Sequence, residues 1–219
     1  MCEDIRKYKL AELSLAIIDD HEVVLEGLKS YMLKCGTGRV DTFTTARQLL
    51  DGMSSHAYDI FIVDVELPDI DASQLIDEIR QRNAKAKIII NTIHEEMWVV
   101  RKMEEKQVDG VMYKSGQLEH LLQAVISVSE GKQYFCNQYK LNNKKLSLQN
   151  DTLSQREIDV LLKIAAGLST KEIAQHLYIS ENTVESHRQR LFAKLKAHNM
   201  ASLVVKAISC GYINPKDLK

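Results

Sequence analysis

Through about residue 130, the chain alternates short apolar runs of strand length with longer stretches of helical periodicity. The four clearest apolar runs are LSLAIID, YDIFIVDV, KIIINTI and GVMY. A weaker run, GRVDTF, lies between the first two, so the pattern predicts five strands that each precede a helix. Strands that are apolar at nearly every position are typical of a parallel sheet covered by helices on both faces. The pattern therefore predicts a doubly wound α/β domain with a five-stranded parallel sheet over residues 14–131.

The chain after residue 150 shows helical periodicity alone. Ser154 with Glu157 and Ser169 with Glu172 match the reciprocal capping pair of a helix start, and Ser180 is a preferred cap for a third helix. The segment MASLVVKAISCG completes an all-α domain of four helices. The predicted boundaries are an N-terminal extension over residues 1–13, a polar linker over residues 132–150 and the helical domain over residues 151–219.

Charge is distributed unevenly along the chain. Residues 144–219 hold 12 Lys and Arg against 7 Asp and Glu, whereas residues 1–143 hold 17 against 23. A basic C-terminal segment in a nearly neutral chain makes nucleic acid a candidate partner of that segment. No apolar run is long enough to span a bilayer, the charged N-terminus differs from a signal peptide, and the cysteines form no C-x-x-C pair. We therefore expect a cytoplasmic protein without membrane association.

Five polar side chains are predicted to meet at the carboxyl edge of the sheet. In chain order they are Asp19, Asp20, Asp64, Thr92 and Lys114, and each ends or follows an apolar run. Ligands bind beyond this edge in open parallel sheets. Oxygen ligands in a cluster suit Mg²⁺, and a carboxylate can accept a phosphoryl group as an aspartyl phosphate. The set therefore predicts a phosphoryl-acceptor site with Asp64 as the nucleophile and Lys114 beside the phosphoryl oxygens.

Residues from about 14 to 130 resemble the receiver domain of bacterial two-component response regulators. The resemblance rests on the acidic pair, on the D-x-x-x-P spacing of Asp64 and Pro68, and on the Thr and Lys after strands four and five. It implies a flavodoxin-like fold and transfer of a phosphoryl group to Asp64 from the phosphohistidine of a sensor histidine kinase. It implies self-catalysed acceptance of that group, and not the turnover of an enzyme.

The resemblance also implies how the metal and the switch are built. Mg²⁺ would be bound directly by the carboxylates of Asp20 and Asp64 and by the backbone carbonyl of Glu66. Asp19 would act through a water molecule, and Thr92 would move to hydrogen-bond the phosphoryl group and carry the signal.

In the back half, TKEIAQHL, YIS and ENTVESHRQRLFAKL fill a helix-turn-helix pattern, in which the second helix enters the DNA major groove. Placing Val184 on the inner face leaves amide, hydroxyl and carboxylate side chains on the outward face, where they can address base edges. Flanking cations can meet phosphates. The predicted contacts to double-stranded DNA are Lys171, Asn182, Glu185, Ser186, Arg188, Gln189, Arg190 and Lys194.

Residues from about 150 to 213 resemble the LuxR-type DNA-binding domain, and a receiver followed by this domain is the layout of the NarL/FixJ family. The last helix is apolar over more of its circumference than one core contact needs, so we expect it to form a homodimer on DNA. The alternative is that all of its apolar side chains pack internally. The predicted dimer residues are Leu203, Val204, Ala207 and Ile208.

A phosphorylation-controlled transcription regulator is the leading hypothesis, and two alternatives stay open. A phosphatase of the haloacid-dehalogenase type would use Asp64 as nucleophile with Glu66 as acid and base. In that family the residue two positions after the nucleophile is Asp, and the nucleophile follows the first strand. Here the residue is Glu66, and the strand is the third. A DNA-binding regulator with a phosphate-independent receiver-like dimer module is suggested by two departures. The family usually has an aromatic residue where Val111 stands and a small residue where Ile93 stands.

Overall fold

The computed structural model describes residues 10–147, 153–215 and 218, which form two compact units. Most of the predicted N-terminal extension lies outside the described residues, as do the end of the predicted linker and the first two positions of the predicted helical domain. Within the described residues, no helix has both the length and the apolar character that a bilayer span requires.

Strands and helices alternate along residues 14–129, as the apolar runs predicted. A short 3-10 helix at Leu10–Glu12 precedes them. The elements are β1 (Ser14–Ile18), α1 (Glu22–Lys34), β2 (Arg39–Phe43), α2 (Ala46–Gly52), β3 (Ile60–Val63), α3 (Ala72–Arg82), β4 (Lys87–Thr92), α4 (Met97–Glu105), β5 (Gly110–Tyr113) and α5 (Leu118–Ser129).

The strands form one parallel sheet in the order β2-β1-β3-β4-β5-β6. Ile89 belongs to the apolar cluster that also contains side chains of α1 and α5. Its neighbours Ile88 and Ile90 point to the opposite face, because side chains alternate along a strand, and they are also fully buried. The central strands are therefore covered on both faces, which explains why their sequence is continuously apolar.

The sixth strand corrects the prediction of five. Strand β6 (Tyr134–Phe135) pairs in parallel with β5 and is followed by α6 (Asn137–Ser147), so both elements lie within the predicted linker. Two residues are too few to produce a periodic signal in a polar stretch. The ring of Phe135 stacks on that of Tyr139 with centroids 5.1 Å apart, which joins the new strand to the start of the new helix.

The second unit contains the four predicted helices, α7 (Gln155–Ala165), α8 (Thr170–Leu177), α9 (Glu181–Lys194) and α10 (Met200–Ser209). Capping boxes open α7 and α8 at Ser154 and Ser169, and the Ser180 hydroxyl caps α9. A third capping box, at Asn199, opens α10 and was not predicted. The shared core includes the fully buried side chains of Val160, Leu161, Ile173, Val184, Leu191, Leu203, Ala207 and Ile213.

Candidate functional site

The first candidate site lies where the order of the sheet reverses. Strand β1 has β2 on one side and β3 on the other, and such a switch point opens a crevice beyond the carboxyl ends of the strands. Asp19 and Asp20 follow β1 directly, and Asp64 follows β3. The backbone N–H of Asp64 donates to the carbonyl of Ile18 at 3.0 Å, which holds the two strand ends together. The topology therefore brings the predicted carboxylates to the crevice.

Lys114 joins two of these carboxylates. Its Nζ lies 2.6 Å from Oδ2 of Asp64 and 2.7 Å from Oδ2 of Asp19. Both carboxylates are almost completely buried, with side chains 5% and 2% exposed. The backbone N–H of Val65 donates to the other oxygen of Asp64 at 2.7 Å, so both oxygens of this carboxylate are held. The structure thus unites three of the five residues that strand-end spacing predicted.

The electrostatics of this cluster leave negative charge to be compensated. Burial raises the pKa of Asp64 and the charge of Asp19 adds to the effect, although Lys114 opposes it. Burial alone would lower the pKa of Lys114, but its hydrogen bonds with Asp19 and Asp64 prevail and raise that pKa. Two carboxylates therefore share the single positive charge of the Lys114 ammonium, so a further cation beside them would be favoured.

Asp20 lies at the open side of the cluster with a partner that the sequence did not suggest. The side chain of Asp20 is 39% exposed, and its Oδ1 lies 2.6 Å from Nδ1 of His21. The backbone N–H of His21 donates to Asp19 at 3.0 Å. Candidate ligand atoms of these three residues all lie within 4.8 Å of one another. The carboxylate oxygens of this group are the donor type that Mg²⁺ prefers, so the residues fit the predicted metal.

Thr92 and Glu66 are both in contact with His94, which the sequence reasoning missed. Thr92 is fully buried, and its hydroxyl accepts a hydrogen bond from the backbone N–H of His94 at 3.1 Å. Nε2 of His94 lies 3.0 Å from a carboxylate oxygen of Glu66. The available sequence signal for His94 was a titratable side chain two residues after the end of a strand.

Val111 and Ile93 are the two departures from the family pattern. Val111 is fully buried, whereas Ile93 is 64% exposed.

The second candidate site is the outward face of α9. Val184 and Leu191 are fully buried, which fixes the inner face as the periodicity predicted. The polar side chains predicted for the outward face are exposed, and they are Asn182, Glu185, Ser186 and Gln189. Two of the predicted phosphate contacts, Lys171 and Arg190, are exposed as well.

Glu185 is held in a network that includes a residue outside the predicted set. The hydroxyl of Thr170, at the start of α8, donates to the Glu185 carboxylate at 2.8 Å. The guanidinium of Arg188 donates to the same carboxylate oxygen at 3.1 Å and to the Thr170 hydroxyl at 2.7 Å. The predicted DNA contacts Glu185 and Arg188 are therefore neighbours whose charges offset each other.

Lys194, a predicted phosphate contact, has a partner inside the helical unit that the sequence did not suggest. The sequence placed it on a flank where it would meet phosphates, but its Nζ lies 2.8 Å from a carboxylate oxygen of Glu157. The Glu157 side chain is 3% exposed and also closes the capping box of α7. Lys194 is thus paired with a buried carboxylate while its side chain stays 30% exposed, and the phosphate contact stays a prediction.

Two of the predicted dimer residues require correction. Leu203 and Ala207 are fully buried in the core of the helical unit, so they have no surface to offer a second copy. Val204 and Ile208 are partly exposed, and Val205 is 64% exposed. A dimer surface on α10 would therefore draw on these three residues and not on Leu203 or Ala207. The sequence prediction overestimated the apolar surface left free on α10, because the core of the helical unit buries more than one narrow stripe of this helix.

Comparison with known proteins identifies both units. Residues 15–126 match the protein-family model described as "Response regulator receiver domain". Residues 151–207 match the family model described as "Bacterial regulatory proteins, luxR family". The response regulator UvrY of Escherichia coli (strain K12) is 26% identical over 214 residues, which are 94% of this chain and 98% of UvrY. The nitrate/nitrite response regulator protein NarP of the same strain is 28% identical over 196 residues, which are 86% of this chain and 91% of NarP.

Solved structures show the same fold. RcsB from Salmonella enterica serovar Typhimurium, bound to a promoter in the presence of the phosphomimetic BeF3−, superposes with a TM-score of 0.67 at 24% identity. The match covers 90% of this chain and 98% of the RcsB chain. The receiver model alone spans more than half of the sequence, and the luxR model matches most of the C-terminal helical unit. The chain therefore belongs to the NarL/FixJ family of DNA-binding response regulators.

Proposed function

We propose that Asp64 accepts a phosphoryl group from a sensor histidine kinase and that this group controls how the helical domain binds DNA. The observation that supports the proposal most directly is the Lys114 ammonium, 2.6 Å from Asp64 and 2.7 Å from Asp19 at the switch point of the sheet. A buried carboxylate beside a fixed cation, at the edge of a parallel sheet where ligands bind, is suited to receiving an anionic group.

The proposed transfer uses groups that are already in position. An oxygen of the Asp64 carboxylate attacks the phosphorus of a phosphohistidine. The new O–P bond forms as the P–N bond breaks, and the imidazole leaves with that electron pair and takes a proton from solvent. The N–H of Val65 and the ammonium of Lys114 hold the carboxylate in one orientation before attack, which lowers the entropic part of the barrier. Lys114 then neutralises charge on the phosphoryl oxygens.

The proposed metal ligands are carboxylates of the same cluster. Asp20 and Asp64 would hold Mg²⁺ directly, Asp19 would act through water, and Glu66 would supply its backbone carbonyl. Bound Mg²⁺ supplies positive charge for the phosphoryl oxygens. The incomplete charge compensation around Lys114 and the proximity of the Asp19 and Asp20 carboxylates support this proposal.

Thr92 is the proposed link from the phosphoryl group to the rest of the receiver. Its hydroxyl now accepts a hydrogen bond from the backbone of His94 and still has its own proton to donate. Donation to a phosphoryl oxygen would draw Thr92 toward Asp64 and favour a second conformation of the receiver. We propose that this conformation promotes a homodimer on two DNA half-sites, in the cytoplasm where the DNA lies. A solved structure of RcsB contains two dimers bound to two parallel DNAs.

The proposed control is tested by DNA affinity with and without phosphorylation. Binding sites are first selected from a random-sequence duplex pool with the full chain. We expect Mg²⁺ plus the small phosphodonor acetyl phosphate to raise affinity for these sites at least fivefold, because a second half-site is engaged. EDTA should remove the increase. Equal affinity under all conditions, with DNA still bound, would instead support the phosphate-independent dimer module.

Base choice gives a second prediction for α9. Replacing Glu185 by Ala removes the carboxylate that faces the groove and frees Arg188 from it. We expect the base preference to change at one position of the selected site by about 1–3 kcal/mol. Replacing the exposed Arg190 by Ala should weaken binding to all sequences alike and reduce the salt slope by about 1. The measurement is site selection for each variant, followed by affinity against salt. An unchanged base profile for Glu185→Ala would show that this carboxylate serves only the contacts with Thr170 and Arg188.

A further inference from the structure

Tyr178 has a backbone conformation that its side chain disfavours. It ends α8 with φ 54° and ψ 47°, in the left-handed region where a Cβ crowds the following carbonyl. Glycine adopts this conformation without strain and is the commonest residue at such a helix end. The other non-glycine residues with positive φ in the described chain are Gln107 and Lys196, which carry unbranched polar side chains. Tyr178 is therefore the one position of this group that presents an aromatic ring.

The fold of the helical unit does not account for this ring. Tyr178 is 95% exposed, and its hydroxyl makes no side-chain hydrogen bond with any of the described residues. Tyr212 in the same unit shows the contrast, because it is buried and its hydroxyl accepts a hydrogen bond from the backbone N–H of Leu153. Packing of a ring stabilises the fold in proportion to the apolar area that it buries, so a ring that is 95% exposed gains little to offset backbone strain.

The position of the ring points toward DNA. Tyr178 begins the turn between α8 and α9, two residues before Ser180, which caps the start of α9. It borders a depression whose lining includes Lys171 and Gln175 from α8 and Glu181 from the first turn of α9. In a helix-turn-helix domain the start of the second helix enters the major groove, so the preceding turn lies near the sugar-phosphate chain at the groove edge.

We infer that Tyr178 contacts the DNA backbone at this edge, with its hydroxyl donating to a phosphate and its ring covering the adjoining sugar. Tyrosine is among the side chains that bind phosphate oxygens in DNA complexes. A neutral donor suits the place, because the depression is lined by one cation and one carboxylate, Lys171 and Glu181. The inference rests on the proposal that α9 is the helix in the groove. It adds a contact that positions the protein without reading bases.

The test separates DNA binding from stability, because the same substitution should move them in opposite directions. Replacing Tyr178 by Gly in the full chain relieves the backbone strain, so we expect the unfolding midpoint of the helical unit to rise by about 2–5 °C. Affinity for DNA should fall roughly tenfold, the equivalent of losing one good polar contact. The loss should be equal for selected and random duplexes, with an unchanged salt slope because no cation is removed.

Two further variants make the result decisive. Gln107→Gly relieves the same kind of strain in the receiver and should leave DNA affinity unchanged. Tyr178→Asn keeps a residue that tolerates the left-handed region and should lose affinity as much as Tyr178→Gly. Affinity is measured on duplexes selected with wild type, and stability by thermal unfolding with hydrogen exchange of α7–α10.

The outcomes that overturn the inference are distinct from failure of the proposed function. Wild-type affinity in Tyr178→Gly would mean that the ring serves another partner or none. If Tyr178→Asn bound DNA like wild type and Tyr178→Gly did not, the lost affinity of the glycine variant would be due to its backbone flexibility. A loss of affinity accompanied by faster hydrogen exchange would mark a structural role. If wild type bound no duplex at all, the proposed function itself would be wrong.

Discussion

Replacing Asp64 by Asn is expected to abolish the gain of one phosphoryl group when the full chain is incubated with Mg²⁺ and acetyl phosphate. The amide is nearly isosteric with the carboxylate, so its oxygen can still accept the hydrogen bond from the N–H of Val65. It lacks the charge that pairs with Lys114 and the nucleophilic oxygen that forms the acyl phosphate. Intact mass spectrometry of wild type and variant measures the gain directly, and the phosphorylation-dependent increase in DNA affinity should disappear with it.

A matched control and two contrary outcomes complete the experiment. Asp51 lies exposed on α2, so Asp51→Asn changes the same functional group away from the crevice and should gain the phosphoryl mass as wild type does. An equal gain in Asp64→Asn would assign the phosphoryl group to another residue. No gain in wild type, with the phosphodonor or with a cognate kinase, would favour the phosphate-independent module. Continuous burst-free turnover of a phosphate ester would favour a phosphatase.

The acceptor site could be predicted because its geometry follows from topology. Parallel strands end at one edge, so residues that follow apolar runs are brought together even when they lie far apart in the chain. Asp19, Asp64 and Lys114 meet this expectation, because all three follow strands that end at this edge and their side chains are in contact. The contact between His94 and Glu66 could not be predicted in this way, because it depends on the directions of two side chains that leave different loops.

The helical unit shows where periodicity stops being informative. A helical wheel identified Val184 and Leu191 as the inner face, because burial follows the angle around a single helix. The wheel contains no information on which neighbouring helix meets each flank. Lys194 was therefore assigned to DNA, although Glu157, a residue of α7, lies at hydrogen-bond distance. Strand β6 escaped prediction for a different reason, since its two residues gain their structure from the edge of β5.

The ion pair of Lys194 gives the second large prediction. Replacing Lys194 by Met preserves the length and apolar body of the side chain. Among the described residues, it leaves the Glu157 carboxylate with the Ser154 backbone N–H and hydroxyl as its hydrogen-bond donors. Breaking a fully buried pair is strongly destabilising, and the partial exposure of Lys194 reduces that loss. We expect the helical unit to lose about 2 kcal/mol, which corresponds to roughly 8 °C or more in its unfolding midpoint. Arg190→Met is the control, because it removes an exposed cation from the same helix and should change stability by less than about 0.5 kcal/mol.

The effect of Lys194→Met should also depend on pH in a defined direction. Burial alone would raise the pKa of Glu157, but the hydrogen bonds from Lys194 and Ser154 prevail and lower it below its ordinary value of 4.5. A lowered pKa in the folded state contributes stability above the ordinary value, and the contribution is lost as pH falls through the lowered one. Unfolding followed from neutral pH to pH below 4.5 should therefore show the difference between wild type and Lys194→Met shrinking. The contrary outcome is a Lys194→Met variant whose stability at neutral pH is unchanged and whose DNA binding has a salt slope reduced by about 1. That outcome would show that Lys194 contacts a phosphate, as helical periodicity predicted.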